Sequence, residues 1–110
     1  MKILVLTSRN SLFIEPVIND FIGGEHTFTS TNEHRPQQIF ELMRQHDLVW
    51  VEWCTQTAVD VSRLPKVCSI IIRLHRYESF QPYINQVNWN FIDHIIFVVP
   101  FMRKITEERL

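Results

Sequence analysis

Two apolar runs constrain this chain more than anything else in it. One lies in D-L-V-W-V-E-W-C, from Asp47 to Cys54; the other lies in K-V-C-S-I-I-I-R-L-H-R-Y-E, from Lys66 to Glu78. A strand covered on both faces of a parallel sheet reads as near-continuous Val, Ile and Leu, whereas a half-solvated strand alternates. Residues just past such runs fall at the carboxyl edge of the sheet, where open α/β sheets bind their ligands. The positions to explain are therefore Glu52, Trp53 and Thr55 after one run, and His75, Arg76, Tyr77 and Glu78 after the other.

The rest of the chain supplies the matching elements. Lys2 to Leu6 is a first buried strand, closed by the polar loop T-S-R-N-S. Phe13, Val17 and Phe21, with Ile14, Ile18 and Ile22, repeat every four residues and make a wide apolar helical stripe. Pro16 confines that helix to a start near Ile14 or Glu15, and Gly23-Gly24 stops it. His26 to Ser30 is a second strand, polar enough to belong near a sheet edge. Pro36 opens a second helix with Ile39, Leu42 or Met43, and His46 on one face. Asp47 to Trp53 is the third strand; Thr55 or Thr57 caps a short helix that Pro65 ends; Val67 to Leu74 is the fourth strand. His94 to Val99 is the fifth, and Phe101 to Leu110 reads as a helix with Met102 and Ile105 on one face.

Strands that alternate with helices predict one three-layer, Rossmann-like open sheet of five parallel strands spanning residues 1–110, with helices on both faces. The strand order expected is 3-2-1-4-5, with 2-1-3-4-5 as the alternative. The last helix lacks a glycine cap or a proline stop, so we expect Leu110 not to be the natural end of the protein.

Composition removes several function classes. Eleven Lys and Arg against twelve Asp and Glu give no support to a nucleic-acid-binding role. No stretch approaches the roughly 20 apolar residues of a membrane span, and the N-terminus lacks the parts of a signal peptide. A cytoplasmic location is expected. Cys54 and Cys68 would sit at opposite edges of the sheet, too far apart for a disulfide, and are expected to be buried thiols. The histidines have no metal-ligand spacing, so neither a metal nor a cofactor is expected. The only two glycines are Gly23 and Gly24, so no glycine-rich phosphate loop exists. That speaks against a dinucleotide-binding domain and a flavodoxin, and the lack of acidic residues after the first strand speaks against a response-regulator receiver.

His26, His46 and His94 begin strands and belong to the edge opposite the ligand crevice; His34 and His75 follow strands and belong to the crevice. Arg73 and His75 are two apart and share a face if the strand extends that far. Arg76 and Glu78 pair by the same count. Glu52 is a carboxylate inside an apolar run, and burying it unpaired would be costly. Its plain explanation is an ion pair with Arg73 or Arg76 on the adjacent strand. The Thr7 to Asn10 loop, with Ser8 and Arg9, can donate hydrogen bonds to a ligand, as would any loop of that composition.

The sequence D-L-V-W-V-E-W-C…S-I-I-I-R-L-H-R-Y-E…V-N-W-N-F-I-D-H-I-I-F-V-V resembles the N-terminal domain of GT-B glycosyltransferases, in particular bacterial members of glycosyltransferase family 4. The resemblance spans about Asp47 to Val99. It implies two Rossmann-like domains facing a cleft, with the acceptor on the N-terminal one. The nucleotide-sugar donor would bind a C-terminal one carrying a Glu-x7-Glu motif. Transfer would be retaining and need no metal. His75 matches a histidine that, in such enzymes, lies near the donor sugar, and so is the catalytic candidate. Glu52, Thr55, Arg76 and Glu78, with Ser8 and Arg9, are the substrate-binding candidates. Two departures stand out: the loop after the first strand has no glycine, and Glu107-Glu108 is not the donor motif. The chain is therefore expected to have no transferase activity by itself. Peripheral membrane association and a homodimer are further expectations. The alternative from another class is a non-catalytic α/β binding or dimerisation module. A stand-alone enzyme using His75 and Glu78 is least favoured, because no nucleophile or cofactor loop accompanies them.

Overall fold

In the computed structural model, residues 1–7, 14–75 and 82–97 are described. The elements run β1 (Lys2–Leu6), α1 (Glu15–Ile22), β2 (Thr27–Thr31), α2 (Pro36–Met43), β3 (Leu48–Val51), α3 (Gln56–Arg63), β4 (Ser69–Leu74) and β5 (His94–Phe97). Among the described residues between β4 and β5, Pro82–Asn85 and Trp89–Phe91 form 3-10 turns. All four strand pairings are parallel, and the five strands form one open sheet. The expected helix at 101–110 lies outside the described residues.

The strand order is 2-1-3-4-5, which corrects the favoured 3-2-1-4-5. The reason is burial. Leu48, Val49, Trp50 and Val51 are all buried, which an edge position cannot provide. In the sequence T-F-T-S-T of β2 no residue is buried. Order 3-2-1-4-5 would have put the apolar strand at the margin and the polar one inside. In the observed order β3 lies between β1 and β4, and β2 takes the edge that its threonines suit.

Alternation along the strands divides the core into two layers. Leu4, Leu6, Val49, Val51, Ile70 and Ile72 face α2 and α3, which contribute Ile39, Met43, Ala58, Val59 and Val61. Ile3, Val5, Leu48, Trp50 and Ile71 face α1, which contributes Ile18. Helices thus lie on both faces. The helix starts follow local chemistry: Pro stands in the first turn of both α1 and α2, where its missing N–H costs nothing. Gly23 stops α1 at φ 78°, ψ 157°, a region essentially reserved for glycine.

Two aspartates pin the amino edge. Asp47 accepts a bond from the backbone N–H of Lys2 (2.8 Å), and Asp93 from that of Ile70 (2.7 Å) and from Lys66 Nζ (2.6 Å). Partial burial works against the Asp93 charge, but these donors hold its carboxyl below the usual range. Two boundaries differ from the sequence reading. β3 stops at Val51, so Glu52 and Trp53 occupy the bend beyond it, and β4 begins at Ser69. Neither cysteine is in a disulfide; Cys54 is buried as expected, whereas Cys68 is only half-buried, and desolvation raises its thiol pKa.

Candidate functional site

The register of the sheet builds the site. Trp50 stands beside Ile71 and Val51 beside Ile72, so the next residues in line are Glu52 and Arg73. Glu52 lies two residues past Trp50, just beyond the end of β3, and His75 two past Arg73, just beyond the end of β4. Period-two geometry therefore sends all of these side chains to the α1 side, at the carboxyl edge.

Glu52 is the centre. Its side chain is 3% exposed. Oε1 accepts the indole N–H of Trp50 at 3.0 Å. Oε2 accepts Arg73 Nη1 at 2.8 Å and His75 Nε2 at 2.9 Å. The same His75 nitrogen lies 3.0 Å from the backbone oxygen of Glu52. Both of its neighbours are acceptors, so Nε2 carries the proton and divides it between them. Desolvation pushes the Glu52 carboxyl upward. The bonds from His75 and Trp50 and the charge of Arg73 outweigh it and hold the carboxyl below its ordinary value.

Trp53 completes the arrangement. Its ring stacks on the His75 imidazole with centroids 3.7 Å apart and planes 19° apart. The imidazole is thus fixed twice, in its plane by Glu52 and against its face by an indole. Such a ring is held in one tautomer and one orientation.

The sequence candidates fall as follows. Glu52 and His75 come together, and the partner of Glu52 is Arg73, one of the two arginines expected. Thr55 occupies the cap position of α3, half-buried, without a side-chain capping bond. Ser8, Arg9, Arg76 and Glu78 lie outside the described residues. Thr7, directly after β1, is buried at the same edge. Sequence reasoning passed over Trp50 as a site member; its signal was the two-residue spacing to Glu52, which puts an indole donor beside a buried carboxylate. The stacking of Trp53 on His75 had no local signal.

Two of the other histidines bond to backbone carbonyls close in sequence. His26 Nε2 donates to Gly23 O at 2.6 Å, and His46 Nδ1 to Leu42 O at 2.6 Å. Both line a concavity of about 680 Å³ at the amino edge, remote from Glu52 and His75. The terminal ammonium of Met1 also donates to His26 Nδ1 at 3.2 Å, and every residue lining the concavity is at least partly exposed, so it lacks the convergent buried groups of a ligand site. Among the described residues no group of His, Cys, Asp or Glu is placed to hold a metal ion, and no helix is long and apolar enough to cross a membrane. Comparison of the chain with family models, with curated proteins and with solved structures finds no match.

Proposed function

We propose that this chain is the acceptor-binding half of a nucleotide-sugar-dependent glycosyltransferase, acting with a donor-binding domain outside these 110 residues. The observation that carries this reading is the imidazole of His75, fixed by Glu52 and Trp53 at the carboxyl rim of a parallel sheet. In this reading His75 hydrogen-bonds a sugar hydroxyl and shapes the pocket around the transferring sugar. Glu52 has all its bonds directed to protein donors, so it acts as a positioning residue for His75 rather than as a contact to sugar. Trp53 supplies the flat apolar surface that pyranose rings favour. Peripheral contact with a membrane would follow from a lipid-linked acceptor.

The saturation of Glu52 also favours a second reading, a binding module in which the cluster only clamps two strands. Titration with saccharides separates the two. Neutral mono- and disaccharides are expected to move the His75 ring resonances and the indole resonance of Trp53, with smaller shifts at Trp89. Nucleotide sugars alone are expected to bind weakly, because their site belongs to the other domain. Unmoved His75 and Trp53 resonances across a broad saccharide panel would leave the clamp as the better account.

A further inference from the structure

β2 lies at one end of the sheet, paired on one side only, with β1. In a strand, the N–H and C=O of one residue point to one side and those of the next to the other. The N–H of Thr27 donates to Met1 O at 3.0 Å, and Thr31 O accepts the N–H of Thr7 at 3.1 Å. Thr27, Thr29 and Thr31 therefore turn their backbone groups inward to β1. Phe28 and Ser30 turn theirs outward, at the end of the sheet, where no described residue pairs with them.

Natural sheets usually blunt such an edge with lysine, proline or a bulge. β2 has none of these: T-F-T-S-T contains no charge and no proline, and no described non-glycine residue has positive φ. The geometry points to antiparallel pairing of β2 with the β2 of a second copy of this chain, centred on Thr29. In that register Phe28 faces Ser30 of the other copy, and each such pair exchanges two backbone bonds. The two-fold axis repeats the pair, so all the outward groups of both strands are used. Thr29 meets its own counterpart, and Thr27 meets Thr31. No like charges face each other within the strand. Further out, Glu25 comes opposite Glu33, whose charge Arg35 already neutralises through contacts of 2.7 and 2.9 Å. That ion pair lowers the Glu33 carboxyl pKa to about 2. A closed two-fold contact of this kind needs one self-complementary segment and no foreign sequence. Strand pairing alone lies at the small end of interface sizes, so the association is concentration-dependent.

The test is sedimentation equilibrium over a concentration series with wild type and Ser30→Pro. Proline at position 30 removes only an outward N–H, and it leaves Thr29 in the extended conformation that a following proline prefers. Wild type is expected to move toward twice the chain mass of 13.2 kDa as concentration rises. Ser30→Pro is expected to stay at one chain mass with an unchanged circular dichroism spectrum. Register is read independently by oxidising Thr29→Cys, with wild type as the control for the native thiols. Facing Thr29 positions are about 4.5 Å apart at Cα, within disulfide reach. Thr27→Cys, offset by four residues, would sit about 13 Å from its copy and should not cross-link. A wild type that keeps one chain mass throughout overturns the pairing, as does equal cross-linking at positions 27 and 29. A monomeric chain that binds foreign extended peptides at this edge would also count against it.

Discussion

Replacing Glu52 by alanine should destabilise the protein by about 3–5 kcal/mol, because it leaves the half-buried Arg73 charge and the buried Trp50 indole N–H without their acceptor. Against a total stability on the order of 5–15 kcal/mol, that is a large fraction. Chemical denaturation should show a lower midpoint with the slope little changed, and the melting temperature should fall by more than about 10 °C. The joint replacement of Glu52, Arg73 and His75 by apolar residues of similar volume should cost far less, since no charge is then stranded. A small effect of Glu52→Ala on its own would mean that the three donors find other partners. The same carboxylate sets an acid-side dependence. Its folded pKa lies below its ordinary value of 4.5, so its contribution is present above that value and is lost as pH falls through the folded pKa. Asp93 is shifted in the same direction. The share of Glu52 is therefore read as the difference between wild type and Glu52→Gln, whose stability should fall less steeply in acid.

His75→Ala should behave in the opposite way. It takes one donor from Glu52 but leaves the carboxylate paired with Arg73 and bonded to Trp50, so the fold should lose only about 1–2 kcal/mol. Its large effect is expected on function. Saccharide affinity should drop about tenfold or more, equivalent to one lost hydrogen bond. Turnover in an assembly that also holds the donor domain should fall about 100-fold or more, as for removal of one preorganised group at a developing charge. Equal destabilisation by the Glu52 and His75 replacements, with saccharide response unchanged, would make His75 a member of the clamp and nothing more.

Where the sequence was legible, a single physical signal had no rival. Continuous apolar runs marked β1, β3 and β4, and period-two counting put Arg73 and His75 on one face. The charge of Glu52 within an apolar run required a partner, and Arg73 is where adjacent-strand register puts one. The strand order was also written in the burial pattern, because T-F-T-S-T cannot be an interior strand and L-V-W-V cannot be an edge; the error lay in weighing topology apart from burial. Other features were not local. The stacking of Trp53 on His75 depends on where β3 stops and how the bend beyond Val51 turns, and no spacing encodes that. The donation from Trp50 could have been found by the same two-residue count that paired Arg73 with His75.

The state of the His75 ring tests the central claim most directly. If parallel strands bring Glu52 and His75 to one rim with Nε2 against two acceptors, nitrogen-15 spectra of the neutral ring should show the proton on Nε2 and not exchanging freely between nitrogens. Glu52→Gln should weaken that preference, with His75 still in place. A wild-type ring that carries its proton on Nδ1, or averages between the two forms as an isolated imidazole does, would contradict the account.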